Sequence, residues 1–381
     1  MNPSSWTHFN PVKVIFQPGG LNRLADYVDS RRVALVTSAG FRRRGLVTVI
    51  EQALGGRLLA VVDNVKPNPD AIDVQAQSEL LRWAAPDTLV ALGGGSTIDT
   101  AKALARLLSQ PNGASLATLV REATTAPGIP ALPVVAIPTT SGTGAEVTPF
   151  GTVWDYEQKK KYSITGEDLF PRLAILDPDL TLQLPEAVTI ASGLDSISHA
   201  LESAWNRNAT PVTLGLVTRS LQLSMRALPA IKDNPSDTEA RARMMQASTL
   251  AGLAISQTRT ALAHAISYPL TANFRLPHGL ACSFTLPALL GFNAASDDGR
   301  LADLARSLGY ANTREFASGL SSLFRRLGVG GYLSAYLPDR QSVMALSSQM
   351  FAPARAENNL RHGSEEEVRM IVAEALDALW S

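Results

Sequence analysis

The sequence predicts an α/β domain followed by an all-α domain. The chain has 381 residues, which is long for one hydrophobic core. Short apolar runs alternate with amphipathic stretches in the first half, whereas the second half shows helical periodicity without a clear strand. We place the boundary near residue 182, so the expected domains are residues 1–182 and 183–381. Hydrophobic residues make up 45% of the chain and charged residues 18%, a composition that allows both domains to bury a core.

Strands of the first domain are predicted where apolar, often β-branched runs end in a turn signal. Pro18-Gly19-Gly20 ends the first run, and a helical pattern over Leu21–Val28 follows it. This alternation favours a mostly parallel sheet with helices on its faces. Residues 109–130, rich in Ser, Pro, Gly and Ala, predict a surface excursion. The predicted strands are Val12–Phe16, Val33–Thr37, Leu58–Val62, Thr88–Leu92, Pro133–Ile137, Tyr162–Thr165 and Leu173–Leu176.

Helices of the second domain are predicted from apolar residues spaced three and four positions apart. No internal repeat or low-complexity tail interrupts this pattern. The predicted helices lie around Leu201 and over Leu214–Leu228, Thr238–Ser256, Thr260–Ser267, Leu301–Leu308 and Glu365–Trp380.

Charge and cysteine content argue against several classes of partner. The formal net charge is zero, and the basic runs Arg42–Arg44 and Lys159–Lys161 are short, so we expect no nucleic-acid partner. The single Cys282 excludes an intramolecular disulfide and fits a reducing cytoplasm. The first residues lack the basic and apolar regions of a secretory signal, and no apolar run is long enough to predict a membrane span.

One aspartate and three histidines of the second domain are candidate metal ligands. Asp195 and His199 are four residues apart on a predicted helix and therefore share one face. His264 and His278 follow later in the chain. A carboxylate oxygen and three imidazole nitrogens suit a divalent first-row metal and leave room for a substrate oxygen. Separate core or capping histidines are the alternative, but an aspartate within an apolar helix needs a compensating charge or metal.

Two glycine-rich loops follow predicted strands of the first domain. Gly93, Gly94, Gly95 and Ser96 lie between a strand and a helix, where backbone N–H groups and the helix dipole favour phosphate. The alternative is a tight turn with Ser96 or Thr97 as the helix cap. The second loop, residues 138–148, follows the next strand. Because parallel sheets bind ligands at the carboxyl ends of their strands, two such loops indicate one long, phosphate-bearing cofactor.

Together these motifs resemble those of the iron-containing (group III) alcohol dehydrogenases, which share their fold with dehydroquinate synthase and glycerol dehydrogenase. They occur in the same order through the middle of the chain. The matching motifs are Gly93-Gly94-Gly95-Ser96 with Asp99 and Lys102, the loop 138–146, Gly193-Leu194-Asp195 with His199-Ala200-Leu201-Glu202, His264, and Pro277-His278-Gly279.

The resemblance implies a nicotinamide-dependent aldehyde reductase or alcohol dehydrogenase with a dehydroquinate synthase-like fold. The metal would polarise the carbonyl and stabilise the alkoxide, while the nicotinamide delivers hydride. We expect Fe²⁺, with Zn²⁺ as the alternative, and a homodimer. By the same resemblance, the metal would be bound by Asp195, His199, His264 and His278. The pyrophosphate would be bound by Gly93, Gly94, Gly95 and Ser96, and the rest of the cofactor by Asp99, Thr139, Thr140, Thr148 and Lys161.

Two positions depart from the family pattern. Tyr268 occupies the place where many members have a second histidine credited with proton relay. Ser38 occupies the place where relatives that prefer NAD often have an aspartate, which would repel a 2′-phosphate. Arg42–Arg44 follow Ser38, although such a run is more often a solvated helix face. We therefore expect NADPH to be accepted at least as well as NADH.

The substrate prediction depends on Arg259 and its neighbours. Residues 148–155, Arg259-Thr260 and the segment from His264 through Tyr268 most resemble the branch that reduces phosphonoacetaldehyde to 2-hydroxyethylphosphonate. An arginine pairs strongly with phosphonate or carboxylate oxygens. The alternative is that Arg259 faces solvent or bridges to a neighbouring acid. Succinic semialdehyde or a simple aldehyde are other substrates within this class. A dehydroquinate synthase-like lyase is disfavoured by the count of five histidines, and a non-catalytic cofactor-binding protein is disfavoured by the intact ligand set.

Overall fold

The computed structural model describes residues 5–111, 114–116, 119, 129–156 and 160–380. These residues form two compact units. The sheet unit contains residues 10–140 and 145–181, and the helical unit contains the residues up to Phe9 together with 141–144 and 182–381. No helix in the described part of the chain combines the length and apolarity needed to cross a bilayer.

A six-stranded parallel sheet forms the centre of the sheet unit, as the sequence predicts. The inner strands are buried Val, Ala, Leu and Ile runs, which is typical of parallel strands covered on both faces. The strands are β1 Lys13–Phe16, β2 Val33–Val36, β3 Leu58–Val62, β4 Thr88–Gly93, β5 Val134–Pro138, β6 Phe150–Asp155, β7 Lys160–Thr165 and β8 Leu173–Leu176. The order in the main sheet is β1-β8-β5-β4-β2-β3.

The strand predicted at Tyr162–Thr165 does not join this sheet. It belongs to β7, which pairs antiparallel with β6 in a separate two-stranded sheet. The sequence reasoning missed β6 because its run, Phe-Gly-Thr-Val-Trp-Asp, mixes polar residues and glycine and is only partly buried.

The helices of the sheet unit follow its strands. The prediction over Leu21–Val28 is wrong in detail, because the segment divides into a 3₁₀ turn and a single α-helical turn. Most of the surface excursion expected at residues 109–130 lies outside the described residues. The helices are α1 Leu24–Tyr27, α2 Ala39–Arg43, α3 Leu46–Leu54, α4 Ala71–Ala84 and α5 Gly95–Ser109, with 3₁₀ turns at Gly20–Arg23, Gly55–Arg57, Ala145–Val147, Glu167–Leu169 and Pro178–Thr181.

Strand order places a topological switch point between β2 and β4. The chain runs outward from β2 to β3 and then returns to place β4 on the other side of β2, next to β5. Crevices at the carboxyl ends of such neighbouring strands are where open α/β sheets bind ligands. Ser38 lies just after β2, Gly93 is the last residue of β4, and Thr139 lies just after β5.

The helical unit packs around one continuous apolar core that includes the fully buried Trp205. Its helices agree with the predicted all-α domain, although several of them were not predicted, the longest of these over Thr313–Leu327. The helices are α6 Glu186–Ala204, α7 Pro211–Asp233, α8 Thr238–Thr258, α9 Leu262–Phe274, α10 His278–Ala281, α11 Leu286–Ala294, α12 Arg300–Ser307, α13 Thr313–Leu327, α14 Val329–Ser334, α15 Arg340–Met344, α16 Pro353–Asn358 and α17 Glu365–Trp380, with a 3₁₀ turn at Ser347–Met350.

Residues 141–144 belong to the helical unit, although the sequence-based division put them in the first domain. Two glycines explain this packing. A Cβ atom on Gly142 would collide with the backbone carbonyl of Ser192 in α6, and one on Gly144 would collide with Gly252 in α8. Gly144 also has a φ of 61°, a conformation that favours glycine.

Candidate metal and cofactor sites

Helix α6 presents three polar side chains from one buried face of the helical unit. Asp195, His199 and Glu202 are spaced i, i+4 and i+7, so that they follow one stripe of the helix. Asp195 is 3% exposed and Glu202 is fully buried. Two carboxylates buried this deeply need charged or hydrogen-bonding partners, and the histidines provide them.

The predicted ligand atoms converge on Asp195. Its Oδ1 lies 3.7 Å from Nε2 of His199 and 3.8 Å from Nε2 of His264. The ring of His264 stacks on His199 at a centroid distance of 4.9 Å and meets His278 edge-on at 5.2 Å. Donor atoms separated by just under 4 Å can share one ion, because metal–nitrogen and metal–oxygen bonds are about 2.0–2.2 Å long.

Glu202 contacts the nitrogen of the His264 ring that does not face Asp195. Its Oε2 lies 2.6 Å from Nδ1 of His264, and its Oε1 accepts a hydrogen bond of 3.2 Å from the His264 backbone N–H. The backbone N–H of Ala261 also donates to this carboxylate. Because Nδ1 donates to Glu202, the lone pair of the ring is on Nε2, which faces Asp195.

A buried nitrogen without a partner tests whether the site fits a metal. Nε2 of His264 is inaccessible to solvent and has no hydrogen-bond partner among the described residues. Such an atom costs free energy unless something binds it. His199 is arranged similarly, since its Nδ1 lies 3.4 Å from the Gly142 carbonyl and its Nε2 faces Asp195. The donor set and the orphaned nitrogen both fit a divalent cation.

Cys282 lies beside these residues and was not among the predicted ligands. Its Sγ lies 3.3 Å from Oδ1 of Asp195 and donates a hydrogen bond to it. Ligand atoms of Asp195, His264, His278 and Cys282 all lie within 4.8 Å of one another. Burial and the negative charge of Asp195 raise the pKa of the thiol well above its ordinary value, so it stays a neutral donor. Its position four residues after His278 was the signal that could have found it.

Gly279 allows α10 to approach α6 closely enough to bring His278 to the site. A Cβ atom at this position would collide with the backbone carbonyl of Ala191 and lie 3.1 Å from Cβ of Asp195. Only a residue without a side chain fits here, and the histidine before it is thereby held beside the carboxylate.

The charges of Asp195 and the neighbouring histidines affect one another's pKa values. Burial alone would raise the pKa of Asp195, but the charges of His199, His278 and His264 outweigh it and the pKa is lowered. Burial lowers the pKa of His199, which favours its neutral form. The lowered pKa of Asp195 favours its ionised carboxylate and the lowered pKa of His199 favours its neutral ring, which are the forms in which these two residues bind a metal.

The predicted cofactor residues cluster at the carboxyl edge of the sheet. Helix α5 begins directly after β4, with Gly94 as its cap and no side chain satisfying the first N–H groups. A Cβ atom on Gly93 would collide with Thr97, and one on Gly94 would lie 3.2 Å from Oγ1 of Thr140. Local packing therefore explains part of the need for glycine at positions 93 and 94. The first N–H groups of α5, which no side chain caps, remain suited to binding an anion. Gly95 is the first residue of the helix.

Several other predicted cofactor residues contact protein groups. Oγ of Ser96 accepts a hydrogen bond of 3.1 Å from the Asn68 backbone, and the Thr139 N–H donates to the Gly93 carbonyl. The half-buried Asp99 accepts a hydrogen bond of 2.9 Å from the Thr152 N–H. Burial raises the pKa of Asp99 to about 6, although Lys102, Thr152 and the half-buried Lys161 act in the opposite direction.

Lys102 belongs to the glycine-rich motif and is a fully buried cation, whose role the sequence alone did not indicate. Its Nζ donates to the carbonyls of Ala145, Thr148 and Phe150 at 2.7–2.8 Å and to Oγ1 of Thr148 at 3.2 Å. Burial lowers its pKa to about 8. These contacts fix the loop after β5, so Thr148 has a structural role whatever it does for a cofactor.

Ser38 lies half-buried at the start of α2, where its side chain makes no capping bond. Of the arginines that follow, Arg42 pairs with Asp63 and Arg44 packs over the Phe41 ring. Arg43 and Ser38 both come near Gly40, since a Cβ atom there would lie 3.8 Å from Oγ of Ser38 and 4.0 Å from Nη2 of Arg43.

Arg259 lies at the break between α8 and α9. It follows the last residue of α8, with a φ of 67°, and its N–H still donates to the Ile255 carbonyl. Tyr268 lies one helical turn after His264 on α9 and projects from the same face.

Comparison with known proteins gives matches along almost the whole chain. Residues 11–178 match the family described as "Iron-containing alcohol dehydrogenase", and residues 189–376 match "Fe-containing alcohol dehydrogenase family, C-terminal". The chain is 38% identical over 278 residues to a phosphonoacetaldehyde reductase from Streptomyces viridochromogenes, covering 71% of this chain and 69% of the relative.

Two sulfoacetaldehyde reductases are similar over greater lengths. The chain is 29% identical to the protein from Bilophila wadsworthia, covering 98% of this chain and all of the relative (100%). The crystal structure of the Bifidobacterium kashiwanohense enzyme in complex with NAD⁺ superimposes with a TM-score of 0.90 at 29% identity, covering 98% of this chain and 99% of that one.

Proposed function

The chain belongs to the iron-containing alcohol dehydrogenase family, and we propose that it reduces a short anionic aldehyde to its alcohol. The proposed substrate is phosphonoacetaldehyde, the product 2-hydroxyethylphosphonate, and the preferred hydride donor NADPH. The observation that carries the substrate assignment is the 38% identity to a phosphonoacetaldehyde reductase. The position of the half-buried Arg259 at the break between α8 and α9 supports it from the structure.

The metal would be held by Asp195, His199, His264 and His278. Family membership supports Fe²⁺, while Zn²⁺ binds such ligands with higher intrinsic affinity. When bound, the cation supplies Lewis-acid polarisation of the aldehyde carbonyl. The orphaned Nε2 of His264 is the structural support for this assignment.

The remaining residues of the site orient these groups. Glu202 fixes the ring of His264, and Cys282 donates to Asp195 and thereby restricts the rotation of its carboxylate. Tyr268 stands one turn after His264 in place of a histidine. We propose that the proton delivered to the product oxygen comes from the Tyr268 hydroxyl or from water.

The cofactor would bind along the carboxyl ends of β2, β4 and β5. In this arrangement the uncapped start of α5, at Gly93–Ser96, binds the pyrophosphate, and Thr139, Thr140 and Thr148 follow it along the loop after β5. Lys161, with Asp99 beside it, would meet the nicotinamide ribose. Ser38 leaves room for a 2′-phosphate, and Arg43 would pair with it.

Sulfoacetaldehyde is a second candidate substrate, favoured by the similarity to two sulfoacetaldehyde reductases over 98% of this chain. Its sulfonate is a monoanion of nearly the same shape as a phosphonate. Arg259 would serve either anion, so its presence does not separate the two substrates.

Two further proposals concern the protein in solution. We propose a homodimer, because the edge strand β1 exposes Val14 and Phe16. We also propose a cytoplasmic location, which fits the reduced, buried Cys282. Light scattering of the purified protein measures the first, and fractionation of cells expressing it measures the second.

Steady-state kinetics with an aldehyde panel test the proposed function. The panel contains phosphonoacetaldehyde, sulfoacetaldehyde, succinic semialdehyde and propionaldehyde, each with NADPH and with NADH. We expect the highest kcat/KM for phosphonoacetaldehyde with NADPH. Equal efficiency with propionaldehyde would contradict an anionic substrate, and the absence of nicotinamide oxidation with every aldehyde would contradict a reductase.

A further inference from the structure

A short turn joins α8 to α9 and immediately precedes the candidate metal ligand His264. Arg259, the first residue of this turn, has a φ of 67°, which a residue with a side chain keeps only where its surroundings impose it. Helix α9, which carries His264, begins three residues later at Leu262. The contacts around the turn therefore decide where this helix starts.

One peptide group of the turn connects two distant parts of the helical unit. The peptide between Thr260 and Ala261 donates its N–H to the carboxylate of Glu202. Its carbonyl accepts a hydrogen bond of 2.9 Å from Nδ2 of Asn358, and Nη1 of Arg355 reaches the same oxygen at 3.5 Å. Because a trans peptide is planar, the bond to the carbonyl also fixes the direction of the N–H. The amide of Asn358 therefore directs this N–H toward Glu202.

Glu202 links the orientation of this peptide to the position of His264. Its carboxylate accepts the Ala261 N–H and the His264 backbone N–H, the latter at 3.2 Å, and its Oε2 lies 2.6 Å from Nδ1 of the His264 ring. The carboxylate is fully buried, so these bonds replace its lost hydration. The other ring nitrogen, Nε2, lies 3.8 Å from Oδ1 of Asp195. A displaced peptide would therefore change how Glu202 holds the ring.

The segment that carries Asn358 is anchored to the end of α6. The Arg207 N–H donates to the Asn358 carbonyl at 2.8 Å, and the Leu360 N–H donates to the Trp205 carbonyl at 2.7 Å. These two bonds form a short antiparallel bridge. Helix α6 carries Asp195, so the side chain of Asn358 connects the end of one ligand-bearing helix with the start of another.

A second amide holds the preceding carbonyl of the turn. Nδ2 of the fully buried Asn206 donates to the Arg259 carbonyl at 3.0 Å. Asn206 belongs to the same bridge, where it lies opposite Asn359. The two amides differ in what they orient, because only the carbonyl bound by Asn358 shares a peptide group with the N–H that Glu202 accepts.

Resting on the proposed metal site, and therefore on the proposed function, we propose that Asn358 is a positioning residue for His264. It acts through the peptide between Thr260 and Ala261 and through Glu202. Asn358 lies 98 positions from Thr260 in the sequence. The C-terminal segment of the helical unit thereby sets how firmly the His264 ring is held and how tightly the site binds its metal.

Zinc affinity measures this role without cofactor or turnover. The dissociation constant of Zn²⁺ is obtained on the full-length protein by competition with a chelator of known affinity. We expect Asn358→Leu, which keeps the side-chain size and removes the donor, to weaken binding about threefold to tenfold, the effect of one neutral hydrogen bond. Asn358→Gln, which retains an amide donor, should recover most of the affinity. Asn273→Leu is the matched control, because Asn273 also lies on the chain of α9 and donates at 2.8 Å to a backbone carbonyl, that of Pro269.

A double-mutant cycle separates positioning from a general loss of stability. If Asn358 acts through Glu202, Asn358→Leu should change the zinc affinity by less than about twofold in a Glu202→Gln background. A residue that only supports the fold would weaken binding by the same factor in both backgrounds. Chemical denaturation of the metal-free variants checks that each of them is folded.

The outcomes distinguish this inference from the proposed function. Equal factors in the two backgrounds, or equal zinc affinities of Asn358→Leu and Asn273→Leu, would refute the positioning role and leave the proposed function standing. If the wild type binds zinc but reduces no anionic aldehyde, the proposed function fails and the cycle still decides the role of Asn358. A wild type that binds no zinc would overturn both the metal assignment and the inference drawn from it.

Discussion

Replacing Glu202 by glutamine should release the His264 ring without changing the size of the side chain. The carboxylate is fully buried, lies 2.6 Å from Nδ1 of His264 and accepts the His264 backbone N–H at 3.2 Å. An amide oxygen can still accept one of these bonds, but the charge that strengthens both is lost. A hydrogen bond to a charged group contributes about 1.5–3 kcal/mol. Removing a carboxylate that supports a ligating histidine typically costs about 10–100-fold in metal affinity.

The measurement is the dissociation constant of Fe²⁺ or Zn²⁺, obtained by competition with a chelator of known affinity. Glu186→Gln is the matched control: it changes the same residue type on the same helix, at an exposed position that accepts a hydrogen bond of 2.6 Å from Tyr332. We expect weaker binding, by about the factor given above, only in the Glu202 variant. Equal metal affinity in both variants would refute the reasoning that Glu202 positions His264.

Three further predictions concern the cofactor, the substrate and the metal. Ser38→Asp should lower kcat/KM for NADPH more than for NADH, since a carboxylate would repel the 2′-phosphate; an unchanged ratio would show that Ser38 is not at that position. Arg259→Ala should lower kcat/KM for phosphonoacetaldehyde by about one to two powers of ten and leave propionaldehyde nearly unchanged, whereas equal losses would make Arg259 structural. His264→Ala, or exhaustive chelation of the parent enzyme, should abolish turnover, and full activity in either case would exclude the metal assignment.

The sequence was sufficient for the features that depend on local periodicity. Asp195 and His199 share a helix face because they are four residues apart, and the buried strands of the sheet are continuous apolar runs. The structure brings His264 and His278 to the same place, while their role as metal ligands stays a prediction.

What the sequence could not predict depends on contacts between distant segments. Glu202 and His264 are 62 positions apart, and Thr260 and Arg355 are 95 apart. No periodic pattern reports such pairs, because their proximity is decided by how the helices pack. The antiparallel pairing of β7 with β6 was missed for a local reason instead, because the mixed polar and apolar run of β6 did not predict a strand.

Gly279 affects both the packing of α10 against α6 and the position of the candidate metal ligand His278. A Cβ atom there would collide with the Ala191 carbonyl and crowd Cβ of Asp195, so Gly279→Ala should push α10 away from α6 and move His278 with it. We expect a loss of stability of about 1–3 kcal/mol from overpacking, together with weaker metal binding. Gly215→Ala is the control, since a Cβ atom on Gly215 within α7 meets nothing within 4 Å and should stabilise the helix by about 0.5–1 kcal/mol. Chemical denaturation and the chelator competition measure the two effects separately. If Gly279→Ala destabilised the protein but bound metal as tightly as the parent, the position of His278 would not depend on the approach of these helices, and His278 would lose its support as a ligand.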